Sequence, residues 1–132
     1  MPASPEPPTW VDGVLRAGSV VLTLGIVVLS LGPAPEEPTI GISDKVIHGL
    51  SYFSLTLAVL LAWVGRPARP AQPLRIALRV TLAIVSGGGL VELAQTLVSR
   101  QTEALDALAN TAGAGLALGL WTVLMRVTPK QT

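Results

Sequence analysis

The chain contains no cysteine, which removes disulfides, thiolate chemistry and cysteine-ligated metals and leaves the redox compartment open. Aromatic residues make up only 4% of it, too few for a base-stacking platform. Charge is scarce as well: 13% of residues are charged and the net charge is +1. The strongly basic face that nucleic acid requires is therefore missing. A soluble domain of 132 residues would also carry more charge than this. One histidine, with neither His-x-x-His nor His-Glu-x-x-His spacing, argues against zinc. Lys45 and Arg100 argue against a hard cation held by the acidic residues near them. There is no Gly-x-Ser-x-Gly elbow for a nucleophilic serine, and no strand alternation of the kind a barrel needs. Neither a metal nor a cofactor is expected.

What is abundant is apolar sequence. Half of the residues are hydrophobic, and the mean hydropathy is +0.61. A membrane helix needs about 20 predominantly apolar residues, and four segments qualify: 14–31, 46–64, 74–98 and 107–127. Together they use most of the chain, which predicts one all-α integral membrane domain of four helices over 14–127. A Pro-rich N-terminal tail (1–13) and a short C-terminal tail (128–132) flank it, with 1–9 and 129–132 expected to be disordered. Gly32-Pro33-Ala34-Pro35-Glu36-Glu37-Pro38 ends the first helix, and the Pro-rich stretch 65–73 makes a stiff turn. The first helix also reads as a long secretory signal, with Ser30-Leu31-Gly32 as a passable cleavage site. A retained signal anchor fits its Pro-rich, acidic leader better.

Orientation follows the Lys/Arg bias of the short loops. Arg16, Arg66, Arg69, Arg75, Arg79, Arg126 and Lys130 fall on one side of the predicted spans, and only Lys45 and Arg100 on the other. Both termini are therefore expected in the cytoplasm. Trp10, Trp63 and Trp121 lie towards that side as interfacial anchors, and Arg79 is expected to snorkel there.

Lipid is as apolar as leucine, so packing should fall to small residues. Gly18, Gly25 and Gly32 form a smooth stripe on the first helix, and Gly87-Gly88-Gly89 mark a close approach or a break in the third. Gly115-x-x-x-Gly119 matches a dimerisation motif; intramolecular packing and a homo-oligomer both stay open.

Three stretches carry nearly all of the polarity: Asp44-Lys45-x-x-His48-x-x-x-Tyr52, Glu92-x-x-Gln95-x-x-x-x-Arg100, and Asp106-x-x-x-Asn110-x-x-Gly113. The first opens helix 2, the second closes helix 3 and the third opens helix 4, so an up-and-down bundle brings all three to the extracytoplasmic end. Positions three and four apart share a helix face. Asp44, His48 and Tyr52 thus form one stripe, Glu92 and Gln95 a second, and Asp106, Asn110, Gly113 and Ala117 a third. Glu92 sits on the order of 12 Å inside the end of its helix. An unpaired carboxylate near the centre of a span costs about 2.5–3.5 kcal/mol on insertion scales, so it must find a partner or shed its charge. His48, Gln95, Arg100 and Asn110 are the candidates.

Each of these residues also has a structural reading. Asp44 and Asp106 suit the first turn of any helix, Ser43 and Thr102 look like N-caps, and Lys45 and Arg100 mark an interface. His48, Glu92, Gln95 and Asn110 could simply fix helix register. As a cluster they point further, since intramembrane ionisable groups are functional candidates by default. Acid/base work or proton relay by Glu92 and His48 is chemically reasonable, and so is anion capture by Lys45, Arg100 and helix N-termini. Four helices without a repeat make a poor transporter.

The three motifs, from Asp44 to Gly119, resemble the VanZ-like family of small bacterial membrane proteins in order and spacing. The resemblance points to Asp44, Lys45, His48, Tyr52, Glu92, Gln95, Arg100, Asp106 and Asn110 as site residues. It implies a multi-helix protein of the cell envelope. The family's namesake is associated with low-level resistance to teicoplanin, with little effect on vancomycin, and the family implies no established enzymatic activity. Thr96-Leu97-Val98-Ser99 departs from the pattern by lacking the Gly or Pro often found before the arginine. The expectation is an outward-facing pocket that binds or alters a lipid-linked or cell-wall component. In it Lys45 and Arg100 would hold an anionic headgroup, Glu92 and His48 would form the buried centre, and Asn110 and Gln95 would orient them. A membrane-embedded acid/base enzyme and a structural or partner-binding subunit are the rivals.

Overall fold

With no water to satisfy N–H and C=O groups, an apolar run in lipid must close its own backbone hydrogen bonds. The computed structural model describes residues 9–32, 43–67, 73–97 and 104–127. In it these runs form α1 (Thr9–Leu31), α2 (Asp44–Val59, extended by a π-helical turn Leu60–Val64), α3 (Leu74–Leu97) and α4 (Ala104–Val127). All four are long and apolar enough to cross a membrane. The protein is an all-helical bundle, as the sequence predicts.

The boundaries differ in instructive ways. α1 starts at Thr9, so Trp10 and Asp12 belong to its first turns and not to a tail. α3 runs unbroken through Gly87-Gly88-Gly89. Ser43 occupies the N-cap of α2, but its hydroxyl makes no cap bond; its carbonyl accepts the Val46 and Ile47 N–H groups at 2.9 and 3.3 Å. The remaining tail residues, the stretch 33–42, Arg69, Arg100 and Thr102 lie outside the described residues.

Contacts at the two ends define an up-and-down path. Lys45 at the start of α2 meets Asp106 at the start of α4, and Gln95 near the end of α3 meets Ser30 near the end of α1. At the opposite end, Arg66 just after α2 pairs with Asp12 in α1 at 3.0 Å. The starts of α2 and α4 and the ends of α1 and α3 thus share one end of the bundle.

The tightest seam joins α2 to α4. A Cβ at Gly113 would overlap the Gly49 carbonyl and press on the Phe53 N–H at 3.1 Å. The buried face of α4 reads Asp106, Asn110, Gly113, Ala114, Ala117 and Trp121, the predicted stripe continued by one alanine and one tryptophan. Trp121 is not an interfacial anchor. It is 3% exposed, packs with Leu60, Val64 and Ala77, and donates its indole N–H to the Gly65 carbonyl at 2.7 Å. A second seam sets the Tyr52 ring against Gly88, where a Cβ would lie 2.7 Å from the ring.

The other glycine faces meet no neighbour among the described residues. Nothing described lies within 4 Å of a Cβ at Gly18, Gly25, Gly115 or Gly119, and Gly32 meets only the Val28 carbonyl of its own helix end. Polar contacts hold α1 instead: the Asp12–Arg66 pair, Gln95 to Ser30, and Trp63 Nε1–H donating to Ser19 Oγ at 3.3 Å. The Arg16 guanidinium lies 4.8 Å from the centre of the Trp63 ring.

Gly113→Ala should destabilise the bundle by about 1–3 kcal/mol, the usual range for overpacking. Gly115→Ala, made into open space, should stay within about 0.5 kcal/mol of wild type. Reversible unfolding in bicelles would measure both, and equal stabilities would contradict the α2–α4 seam.

Candidate functional site

The close approach of α2 to α4 brings two polar stripes into register, and α3 closes them from the side. Lys45 Nζ lies 2.9 Å from Asp106 Oδ1, with Asp106 largely buried and Lys45 about a third exposed. One turn deeper, His48 Nδ1–H donates to Asn110 Oδ1 at 3.1 Å. Asn110 Nδ2–H in turn donates to Glu92 Oε1 at 3.3 Å. An amide is the one neutral side chain that can accept on one atom and donate on its neighbour. Asn110 therefore couples a histidine on α2 to a carboxylate on α3. His48 Nδ1 also lies 3.9 Å from Glu92 Oε1 directly, and His48 Nε2 faces the exposed Asp44 at 3.6 Å.

Glu92 is thus partnered, as its depth demands, but only through one oxygen. Its Oε2 is buried without a hydrogen bond among the described residues. Such a group usually signals strain, chemistry or an absent ligand atom.

Of the nine expected site residues, the structure brings six together: Asp44, Lys45, His48, Glu92, Asp106 and Asn110. Tyr52 lies one turn below His48, packed on Gly88. Gln95 does not orient Glu92. Its Nε2–H donates to the Ser30 carbonyl at 2.9 Å, satisfying one of the last carbonyls of α1, which no intrahelical donor reaches. A three-residue step turns a helix by about 300°, so the two side chains part, Glu92 towards α4 and Gln95 towards α1. Arg100 lies outside the described residues.

Asp44, His48 and Asp106 present ligand atoms within 4.8 Å of one another. The Lys45 ammonium already bonds Asp106 there, so a metal ion would meet a resident positive charge.

Sequence reasoning missed two features. The Gly49 carbonyl is the surface that Gly113 packs against, and only Gly49's four-residue offset from Lys45 and Phe53 hinted at a facing position. The Arg66–Asp12 pair, with Arg66 7% exposed, joins residues read separately as loop charge and leader.

No family model, curated protein or solved structure matches the chain. The VanZ-like resemblance rests on its three motifs alone.

Breaking a fully buried ion pair costs about 3–5 kcal/mol because the remaining charge is stranded. Lys45→Met should fall below that range, since Lys45 is partly exposed. The double variant Lys45→Met/Asp106→Leu should recover most of the loss. A double-mutant cycle with no coupling would place Lys45 in solvent.

Proposed function

We propose that this chain is a VanZ-like, multi-pass protein of the bacterial cytoplasmic membrane, with both termini inside and its polar site facing outward. The seven-to-two partition of basic residues supports that orientation. At the site it binds or alters a lipid-linked or cell-wall component, and so lowers susceptibility to teicoplanin-type lipoglycopeptides. The observation that carries this reading is the polar cluster at one end of an otherwise apolar bundle, with Glu92 Oε2 buried at its centre and unpartnered among the described residues. A register-fixing network has no use for an orphaned carboxylate oxygen, whereas a ligand hydroxyl or amide would satisfy it.

In this reading an anionic headgroup competes with Asp106 for the Lys45 ammonium and draws on Arg100. His48, held by Asn110, lines the site with Glu92. A second reading has a specific observation behind it: His48 Nδ1 and Glu92 Oε1 lie 3.9 Å apart and share Asn110. That spacing suits an acid/base pair acting on a lipid-linked substrate.

Expression in a susceptible host should reduce teicoplanin susceptibility several-fold and leave vancomycin susceptibility nearly unchanged. Glu92→Gln at matched membrane abundance should abolish the effect. Wild type indistinguishable from an empty vector would sink the envelope reading for this chain. A variant lost from the membrane together with its effect would make Glu92 structural.

A further inference from the structure

Below the polar site the bundle is not solid. α1, α2 and α3 enclose a cavity of about 380 Å³, within the range of roughly 300–1,000 Å³ typical of ligand pockets. It runs from Tyr52 to Val59 along α2 and from Val91 back to Val80 along α3. At 1.5 Å per residue the α3 wall is about 16 Å long. The volume, spread over that length, leaves room for a single slender chain.

Its walls are almost wholly apolar. The hydroxyl of Thr23 is spent on the Ser19 carbonyl at 2.8 Å. The one other polar atom is the Tyr52 hydroxyl, which makes no hydrogen bond among the described residues and rests against Gly88. Exposed Thr23, Ala83 and Gly87 mark the mouth between α1 and α3. In a membrane this mouth opens onto hydrocarbon, and an apolar cavity of this kind excludes water while admitting apolar guests.

Position makes the cavity specific. Tyr52 belongs to the same α2 stripe as His48 and Asp44, and Val91 at the upper end adjoins Glu92. The apolar space therefore begins where the polar cluster stops. We propose that the α1–α2–α3 cavity is the hydrocarbon-chain subsite for an amphiphile whose headgroup docks at the Lys45–His48–Glu92–Asp106 cluster, entering sideways from the bilayer between α1 and α3. The Tyr52 hydroxyl stands at the junction, where it donates to the linkage between head and chain. The headgroup half of this assignment rests on the proposed function; the chain half rests on the cavity.

The test uses the full chain in phosphatidylcholine nanodiscs with two probes: a long-chain alkyl phosphate carrying a diazirine near the chain terminus, and the corresponding alkyl alcohol. Cross-linked positions are mapped by peptide mass spectrometry. The phosphate probe should label cavity walls such as Val27, Val59 and Ile84 well above lipid-facing Leu93 and Leu116. Gly87→Leu places a side chain into the cavity from a position where a Cβ meets nothing within 4 Å, so the bundle tolerates it. It should cut cavity labelling several-fold. Gly89→Leu, equally open but absent from the lining, should leave labelling unchanged.

Equal cavity labelling by alcohol and phosphate would uphold the chain subsite and remove the anionic-headgroup reading. Labelling scattered over the lipid-facing leucines, and indifferent to Gly87→Leu, would overturn the subsite. A surviving preference for the phosphate probe would then leave the headgroup site standing.

Discussion

The approach of α2 to α4 at Gly49 and Gly113 is the constraint on which the rest depends. With glycine at residue 113 the backbones come so close that a single added methyl there would collide with the Gly49 carbonyl. At that separation side chains one turn nearer the helix starts must interact or clash. His48 reaches Asn110 and Lys45 reaches Asp106 because the glycine contact lies just beneath them. A larger residue at 113 would separate the pairs and leave buried charge facing lipid, a far costlier fault than a lost van der Waals contact. The small-residue seam and the polar cluster are one device. Since lipid supplies no hydrophobic drive for helix association, the seam contributes close packing and the cluster contributes direction.

α1 is held differently. A Cβ at Gly13, Gly18 or Gly25 meets no described residue within 4 Å, and the helix's polar anchors are Gln95 on Ser30 at one end, Asp12 with Arg66 at the other, and Ser19 with Trp63 at the middle. Between the Ser19 and Ser30 anchors no polar contact to another helix and no glycine seam draws α1 in among the described residues, and the cavity under Tyr52, lined there by Thr23, Ile26 and Val27, lies in that interval. The tightness of α2–α4 and the looseness of α1 are complementary: the first fixes the polar cluster, and the second leaves the cavity beside it.

The parts of this arrangement that were legible in the sequence are those that lipid punishes. Apolar runs of spanning length had to be helices, and the i,i+4 steps Asp44–His48 and Asp106–Asn110 had to share faces, because a charge on the wrong face of a membrane helix is expensive. Four helices in an up-and-down path then placed the three polar stretches at one end. The misreadings concern choices that lipid leaves nearly neutral. Glycine spacing on α1 and α4 announces a smooth surface without naming what meets it. Gln95 and Glu92 share a broad face, yet the roughly 60° between them sends one to α1 and the other to α4. Trp121 carries the composition of an interfacial anchor, and the carbonyl of Gly65, the residue that follows the π-helical turn at the end of α2, gives its indole N–H a partner. No pattern in the sequence foretells an extra residue in a helical turn.

The distinction between a network that builds a fold and one that serves a ligand lies in how completely it satisfies itself. Asn110 has both ends occupied, and Lys45 and Asp106 neutralise each other. A purely structural cluster would stop there and would be as well or better served by an apolar residue at position 92, since buried polar groups are often replaced at no loss by packed apolar ones. Glu92 instead brings a second oxygen into the interior and leaves it without a hydrogen bond among the described residues, at a penalty of about 1–3 kcal/mol for an unmet buried polar group. Three residues before the end of the cavity wall at Val91, Gly88 makes room for the Tyr52 ring. The polar cluster and the apolar cavity thus adjoin at Tyr52 and Val91, and the Glu92 oxygen beside that junction is what separates this arrangement from a network that satisfies itself completely.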